Sequence, residues 1–189
     1  MPSEFDSNIR TAGGDVVFSD VFGNTDLRTS GGDVNIKGTG GDLMLKTSGG
    51  DIEVVNHNGD AEMGTSGGDI LVDGLTGSLD AGTSGGDMRL NVVKGKVSAG
   101  TSGGDITLKY NGPNMGISLS TSGGDIHVFL PGDINANVEL RTSGGDIECS
   151  FPATRTNKVS SSKFEGELNG GGEIIRCKTS GGDIVLKEK

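Results

Sequence analysis

Aromatic and large apolar residues are scarce in this chain. Among 189 residues there are six Phe, one Tyr and no Trp, and apolar residues together make up 31%. A globular core of ordinary thickness is hard to build from so few large side chains. A thin core of stacked small aliphatic residues needs fewer of them. Disorder is the competing interpretation of a polar chain with 36 Gly, but the apolar residues hold fixed positions, which disfavours it.

Positive charge is also in short supply. Sixteen Lys and Arg stand against 26 Asp and Glu, a formal net charge of −10. Nucleic acids and anionic membrane surfaces attract clustered basic residues, so neither partner is expected. No run of about 18 apolar residues is present, so no membrane insertion is expected. The first ten residues lack the basic start and apolar stretch of a signal peptide. We therefore expect either a cytoplasmic protein or a mature or truncated form of an exported one.

One short motif dominates what the chain does contain. Ser-Gly-Gly-Asp, with Ala12 in place of Ser at its first occurrence, places aspartates at Asp15, Asp33, Asp51, Asp69, Asp87, Asp105, Asp125, Asp146 and Asp183. The first five intervals between them are 18 residues long, and the next three are 20, 21 and 37. A fixed period near this size is typical of a solenoid, in which each repeat buries its apolar face against its neighbours.

Apolar residues recur at fixed distances from each aspartate, both after it and before it. One residue after Asp stand Val16, Val34, Ile52, Ile70, Met88, Ile106, Ile126, Ile147 and Ile184. Six residues before Asp stand Leu27, Leu45, Met63, Ala81, Ala99, Leu119, Leu140 and Cys177. Further apolar columns lie two positions beyond each of these. This alternation with period two predicts at least two short strands per coil, each with one buried face.

These patterns predict an all-β fold, a single-stranded right-handed parallel β-helix of about nine or ten coils with ~18 residues per coil. Residues 1–189 are expected to form one domain, with regular coils over 11–108, longer coils over 109–150, an excursion or cap over 151–168 and a closing coil over 169–189. Solenoid ends expose strand edges, and the charges of Lys187, Glu188 and Lys189 are expected to protect the last one.

The repeats and the ending of the chain resemble one known family. The residues that carry the resemblance are the Thr-Ser-Gly-Gly-Asp-Ile repeats, Leu130-Pro131 followed by the strand and repeat at 137–147, and Leu168-Asn169-Gly170-Gly171-Gly172-Glu173-Ile174 followed by the repeat at 179–184. They resemble a bacterial cell-envelope domain of unknown function that is named as an adhesin. The resemblance implies a right-handed β-helix, exported or tethered to the envelope, without an established enzymatic activity. It supplies no catalytic residues.

The row of aspartates raises the question of a metal. Carboxylates ~4.8 Å apart repel each other by about 1 kcal/mol per neighbouring pair in water. Hydrogen bonds inside each Thr-Ser-Gly-Gly-Asp turn offset this repulsion in one interpretation. Bound Ca²⁺ offsets it in the other, which makes the chain a calcium-binding module like a β-roll. The candidate ligands are then Asp33, Asp51, Asp69, Asp87 and Asp105. We favour the metal-free interpretation and predict no metal or cofactor.

Catalysis is the third possibility, in the form of a carbohydrate-active β-helix enzyme. His57 and His127 fall on different coils, in a turn and on an outward strand position, and are expected to be solvated. Glu165 and Glu167 lie close together in the excursion, where no pocket is predicted. The sequence therefore predicts no catalytic residues and no enzyme.

The outward positions carry mixed charge, typical of a solvated face. Basic and acidic side chains alternate there: Arg28, Lys46, Arg141, Lys178, Asp26, Glu62, Asp80 and Glu139. Gly64, Gly82 and Gly100 form a strip without side chains, which either relieves crowding or accepts a strand or a glycan. Overall we predict a non-enzymatic structural or adhesive solenoid of the bacterial cell envelope or extracellular space, with cytoplasmic location left open. Its partner is an unknown protein or glycan at the cell surface, and the chain is a monomer or weakly self-associating.

The two cysteines fall in the apolar columns. Cys149 lies three residues after Asp146, and Cys177 six before Asp183. Buried free thiols are the expected state, and a disulfide across the thin core is the alternative.

Overall fold

The computed structural model describes residues 6–189, with the side chains of residues 153–159 excepted. This part of the chain contains twenty β-strands and no helix. The strands are β1 (Ser7–Thr11), β2 (Val16–Ser19), β3 (Thr25–Thr29), β4 (Val34–Gly40), β5 (Leu43–Lys46), β6 (Ile52–Asn58), β7 (Ala61–Gly64), β8 (Ile70–Thr76), β9 (Leu79–Gly82), β10 (Met88–Lys94), β11 (Val97–Gly100), β12 (Ile106–Tyr110), β13 (Ile117–Ser120), β14 (Ile126–Leu130), β15 (Ala136–Arg141), β16 (Ile147–Cys149), β17 (Ala153–Ser160), β18 (Lys163–Leu168), β19 (Ile174–Lys178) and β20 (Ile184–Glu188).

Two long sheets run the length of the solenoid. Sheet 1 contains the strands that precede each Thr-Ser-Gly-Gly-Asp turn, and sheet 2 contains the strands that follow it. Within each coil one strand belongs to each sheet, and neighbouring coils pair in parallel, as Ile52 with Ile70 shows. The all-β solenoid with coils of about 18 residues is confirmed.

The core lies between the two sheets and is built from the predicted columns. Ile70 is 1% exposed in sheet 2, and Leu45 is fully buried in sheet 1. The residues between the apolar positions point outward, as the alternation of buried and exposed positions along β8 and β9 shows. Because each residue of a column stacks on the same position of the next coil, small aliphatic side chains are sufficient to fill this thin core.

The order of the coils departs from the prediction. Seven coils follow one another in chain order, from β1 with β2 to β13 with β14. The next slot is occupied by β19 and β20, and the coil of β15 and β16 lies beyond it. Sheet 2 therefore contains strands from nine coils, of which seven stack in chain order and the last two exchange places.

The closing coil is an interior coil. β19 pairs with β13 on one side and β15 on the other, and β20 lies between β14 and β16. The charged residues at 187–189 were predicted to protect the last strand edge. That prediction is wrong, because β20 is an interior strand. That edge in sheet 2 belongs to β16, a strand of three residues, and a very short strand is itself a poor template for pairing.

The segment between the exchanged coils forms an antiparallel pair of strands. β18 pairs antiparallel with β15 at the edge of sheet 1, and β17 pairs antiparallel with β18. Phe164 and Leu168 of β18 are buried with the core. The last strand edge of the parallel stack in sheet 1, that of β15, is thereby covered by β18, a strand of opposite direction.

Candidate functional site

The aspartates of the repeat form one continuous row of hydrogen bonds between coils. Oδ1 of each Asp accepts a hydrogen bond from the backbone N–H of the Asp in the next coil, as Asp69 N to Asp51 Oδ1 at 2.8 Å shows. The row runs through Asp15, Asp33, Asp51, Asp69, Asp87, Asp105, Asp125, Asp183 and Asp146. We predicted bonds inside each turn. The bonds run between turns instead, because stacking aligns each carboxylate with the next N–H.

The threonine four residues before each Asp also joins two coils. Thr83 Oγ1 donates to the carbonyl oxygen of Gly68 in the preceding coil at 2.9 Å, and it accepts from Gly86 N in its own turn at 3.3 Å. The same pair of bonds recurs at Thr65, Thr101, Thr121, Thr142 and Thr179. These hydroxyls are buried and have both a donor and an acceptor as partners, which removes the cost of burying them.

The two glycines of the motif have different reasons to be glycine. A Cβ at Gly86, the second of its pair, would overlap the backbone carbonyl of Gly68 in the preceding coil. A Cβ at Gly85, the first, would lie 3.8 Å from the nearest atom, which is ordinary contact. The second glycine is thus required by the close approach of successive turns. Thr, the second Gly and Asp all act in stacking, so the most frequent motif in the sequence is explained by the fold.

The predicted calcium ligands lie side by side along this row, on the outside of the turns. In each of Asp33, Asp51, Asp69, Asp87 and Asp105, Oδ1 already accepts a backbone hydrogen bond. Asp87 also lies 3.5 Å from the guanidinium of Arg89. Over the residues that the structure describes, no group of three or more His, Cys, Asp or Glu side chains is placed to hold a metal ion.

A groove of about 1330 Å³ lies on the outer side of sheet 1. We call it the sheet 1 groove. Two columns line it, the residue just before each strand and the second residue within it. In the first six coils the first column contains Asp6, Asn24, Asp42, Asp60, Ser78 and Lys96, and the second contains Asn8, Asp26, Met44, Glu62, Asp80 and Ser98.

A loop lies beside one end of the sheet 1 groove. The coil at 109–114 is longer by two residues, as the sequence predicted, and the loop continues through Met115 and Gly116, which line the groove. Asn114 Nδ2 donates to the carbonyl oxygen of Glu173 at 2.6 Å, and Asn114 Oδ1 accepts from Gly116 N at 3.0 Å. The loop is thereby attached to the inserted coil of β19.

A comparison with protein families decides the identity of the domain. The sequence profile of the family described as Toastrack DUF4097 matches residues 60–187. The chain belongs to the Toastrack family. A search of curated proteins and a search of solved structures gave no match. Coils over 7–58 lie before the matched region, yet Asp33 and Asp51 continue the same row of hydrogen bonds there. The Toastrack solenoid therefore extends beyond the matched region by the same stacking.

His57 occupies a different environment in this Toastrack domain from the one predicted. It lies in β6, is 2% exposed, and its Nδ1 is 2.9 Å from Thr39 Oγ1 of the preceding coil. Among the described residues its Nε2 has no hydrogen-bond partner. Burial lowers the pKa of His57, although nearby backbone groups and the Asp42 carboxylate act in the opposite direction. The prediction of a solvated His57 is wrong. His127 lies on the outward side of β14 and is half-buried.

Glu165 and Glu167 both lie on β18, outside the sheet 1 groove. Glu165 is within 3.2 Å of Arg141 and forms a second ion pair with Lys163. A hydrogen bond from Lys163 lowers the pKa of Glu165, so this carboxylate is held ionised. Such an ion-paired carboxylate is poorly suited to act as a general acid near neutral pH.

The two thiols of the Toastrack domain are free and differ in burial. Cys177, in the interior strand β19, is fully buried, and burial raises its pKa to about 12. Cys149 lies on the edge strand β16 and is only half-buried, although burial raises its pKa too. The prediction of buried thiols is therefore confirmed for Cys177. Cys149 is only partly buried, because β16 is the edge strand of sheet 2 and, among the described residues, no further coil covers its outer side.

The glycine strip on sheet 1 is not explained by crowding at two of its three positions. A Cβ at Gly64 or Gly82 would meet its nearest atom at 3.7 or 3.9 Å, so a side chain fits there. At Gly100 it would lie 3.2 Å from Ser120 Oγ, which is tight.

A search of residues 6–189 for a membrane-spanning helix, which has to be both long and apolar, finds none.

Proposed function

We propose that this Toastrack domain is a non-enzymatic structural solenoid with an adhesive role at the bacterial cell envelope, where it binds a protein or a glycan. The observation that carries the proposal is the use of the repeated residues. Thr, Gly and Asp of the motif contact the neighbouring coil, so the repetition builds a stiff rod and leaves the outer columns free to vary. In solenoids, such variable outer columns are the usual binding surfaces.

The shape of the molecule supports the same proposal. Seven stacked coils extend over about 30 Å at the spacing of strands in a sheet. The sheet 1 groove follows the direction of stacking and spans coils from Asp6 to Glu173. A surface of this kind is preorganised for an extended partner, because the partner alone loses conformational freedom on binding.

The non-enzymatic part of the proposal is supported by what lies in the groove. Catalysis by acid and base needs groups whose protonation is tuned and whose positions converge on one atom. The carboxylates of the groove lie in rows on successive coils instead. The one histidine near them, His57, is buried beneath the surface.

Location and binding are tested together in the bacterium that encodes the chain. An epitope-tagged copy is expressed from its own gene, cells are fractionated, and intact cells are treated with a protease that does not cross membranes. We expect the tag in the envelope fraction. Purified protein should also bind isolated envelopes in a saturable way. Protein found wholly in the cytosol, with no saturable binding to envelopes, contradicts the proposal. Release of reducing sugar or other product from the envelopes contradicts its non-enzymatic part.

A further inference from the structure

The sheet 1 groove has an acidic rim that stacking explains only in part. Six carboxylates line its first five coils: Asp6, Asp26, Asp42, Asp60, Glu62 and Asp80. The residue just before the strand is Asp42 or Asp60 in two coils, but Ser78 and Lys96 occupy the same position in the next two. Asp6 and Asp60 each accept a backbone hydrogen bond from the next coil, from Asn24 N at 2.9 Å and from Ser78 N at 2.7 Å. Because the coil also forms with Ser or Lys at this position, stacking does not require an acidic residue in every coil.

Much of this negative charge is uncompensated. Among the described residues, Asp42 and Asp80 have no ion pair. Asp26 pairs with Arg28 at 3.1 Å and Glu62 pairs with Lys46 at 2.8 Å, and in the second pair both side chains are about half exposed. Exposed pairs of this kind contribute little and exchange readily for a new partner. The rim therefore attracts positive charge along the direction of stacking.

The end of the groove beside the loop of Asn114 has a different character. Met115 is 45% exposed and Ile174 is 37% exposed, and both line the groove there. Among the residues that stand just before the sheet 1 strands of the first six coils, Lys96 is the only basic one. It lies at this same end, since its Cγ is 3.8 Å from where a Cβ would stand if Gly116 were substituted. Exposed apolar side chains beside a loop tied down by Asn114 make a fixed apolar site next to the acidic rim.

We infer that the sheet 1 groove binds an extended polypeptide segment of a partner protein that is rich in Lys and Arg and has one large apolar residue at the end that meets Met115 and Ile174. This inference rests on the proposed function, because it names the partner of an adhesive solenoid. Six coil steps cover about 29 Å, which an extended chain spans with about nine residues. Met44 and Met115 suit such a ligand, because the flexible thioether adapts to different side chains.

A peptide fits these observations better than a polysaccharide. No aromatic side chain lines the sheet 1 groove, so sugars have no ring to stack on among the described residues. Alternate side chains of an extended peptide lie about 6.6 Å apart, and long Lys side chains bridge the difference from the ~4.8 Å coil spacing. Electrostatic complementarity of this kind gives rapid, salt-dependent association.

The test measures the Kd of a fluorescent peptide of about nine residues. The peptide alternates Lys with Ser, has Leu at one end, and is made in both orientations, with a Glu-for-Lys version as control. The full chain should bind the Lys peptide and not the Glu peptide, and raising the salt concentration from about 50 to 500 mM should weaken binding strongly. Replacing Leu with Ser, or Met115→Ser in the protein, should each weaken binding at every salt concentration.

Two charge variants separate the groove from net charge. Asp42→Asn/Glu62→Gln/Asp80→Asn should weaken the Lys peptide about tenfold. Glu53→Gln/Asp73→Asn/Glu148→Gln makes the same change in net charge outside the groove, on residues of sheet 2, and should leave Kd within about twofold. Equal weakening by both variants, or no binding of the Lys peptide at low salt, overturns the inference.

Two further results decide between this inference and the proposed function. Tighter binding of a cationic oligosaccharide than of the Lys peptide overturns the peptide as occupant. Envelope location without peptide binding refutes this inference and leaves the proposed function in place. Groove-dependent peptide binding by a protein found only in the cytosol supports this inference and refutes the envelope role.

Discussion

The seven coils stacked in chain order and the two exchanged coils beyond them use the same contacts between very different partners. Within the ordered coils, Asp69 N donates to Asp51 Oδ1, 18 residues earlier, at 2.8 Å. Beyond them, Asp183 N donates to Asp125 Oδ1, 58 residues earlier, at the same 2.8 Å. Thr83 and Thr179 each donate to a glycine carbonyl of the preceding coil at 2.9 Å. The motif thus specifies how one coil fits on another and not which coil comes next.

What decides the order is the connection between coils. After β14 the chain passes through residues 131–135 and enters β15 two positions away from β13, leaving a slot open in sheet 1. Asn169 Nδ2 donates to the carbonyl oxygens of Gly132 and Ile134. The segment that leads into β19, which fills the slot, is thereby bonded to the connection at 131–135 that passes the slot by. Length alone does not set this choice, because the ordered connection over 111–116 has six residues and the skipping connection over 131–135 has five.

Deletions give the largest test of this difference. Removing residues 70–87, one whole regular coil, joins Asp69 to Met88 and restores the pattern, so a shorter and less stable solenoid should fold. Removing residues 169–189 leaves the slot open, and we expect residues 136–168 to lose their protection entirely. Hydrogen exchange followed by mass spectrometry measures both. Continued protection of 136–168 in the second deletion would show that the exchanged end folds without its interior coil.

Glycine substitutions test whether the two regions share one stacking contact. Gly86→Ala places a Cβ on the carbonyl of Gly68, and Gly182→Ala places one on Gly124. Each should destabilise by about 3 kcal/mol, the upper end of the cost of overpacking. Gly85→Ala is the matched control and should change stability by about 0.5 kcal/mol or less, because its Cβ has room. Urea unfolding compares them, and a mild effect of Gly182→Ala alone would mean that the exchanged end is packed more loosely.

A pH effect is expected in the ordered coils, where His57 is buried. Its pKa is lowered in the folded state, so below about pH 6.5 the unfolded chain binds the extra proton more readily. The free energy of unfolding therefore has its full value above that pH and decreases as the pH falls toward the folded-state pKa of His57. Thr39→Val/His57→Leu replaces both partners of the buried hydrogen bond by apolar groups.

Melting curves at pH 7.5 and pH 5 check this expectation. The parent should lose more of its Tm on acidification than the double variant does, and the carboxylates common to both proteins act as an internal control. An equal loss in both proteins contradicts the role assigned to His57.

The smallest effect is expected in the row of aspartates. Asp87→Asn keeps the acceptor for Asp105 N and removes one charge from a row of like charges, so stability should change by about 1 kcal/mol or less, in either direction. Asp183→Asn should behave in the same way at the exchanged end. Melting is measured in EDTA and in millimolar Ca²⁺. A Tm that rises steeply with Ca²⁺ in the parent and not in Asp87→Asn would establish the calcium-binding alternative.

The sequence pattern predicts the structure of a single coil but not the order in which the coils stack. Period-two columns report which face of a strand is buried, and Ile70 and Leu45 lie in the core as predicted. The place of Asp183 could not be read in the same way, because its turn has the same residues as the turns of Asp125 and Asp146. Equivalent turns fit equivalent slots, so only the three-dimensional path of 131–135 distinguishes the alternatives.

The candidate site was less accessible from sequence. A signal for the burial of His57 did exist, because the position six residues after Asp holds Val21, Thr39, His57 and Leu75 in successive coils. The sheet 1 groove had no such signal. Asp26, Glu62 and Asp80 were interpreted as part of a mixed, solvated face. The groove forms between the residue just before each strand and the second residue within it, and it separates this acidic column from the basic one at Arg28 and Lys46. Its shape depends on the path of the folded backbone, which the sequence pattern does not report.

The exchange of the last two coils has a consequence for the order in which the protein is made. A ribosome delivers β15, β16 and the β17–β18 pair before it delivers β19 and β20. Regular coils are able to add to the growing stack as they emerge, each onto the coil made just before it. The coil of β15 and β16 has to wait, since the surface on which it packs belongs to strands that have not yet been translated. Vectorial folding therefore proceeds through the first seven coils and pauses there until residues 174–188 have left the ribosome.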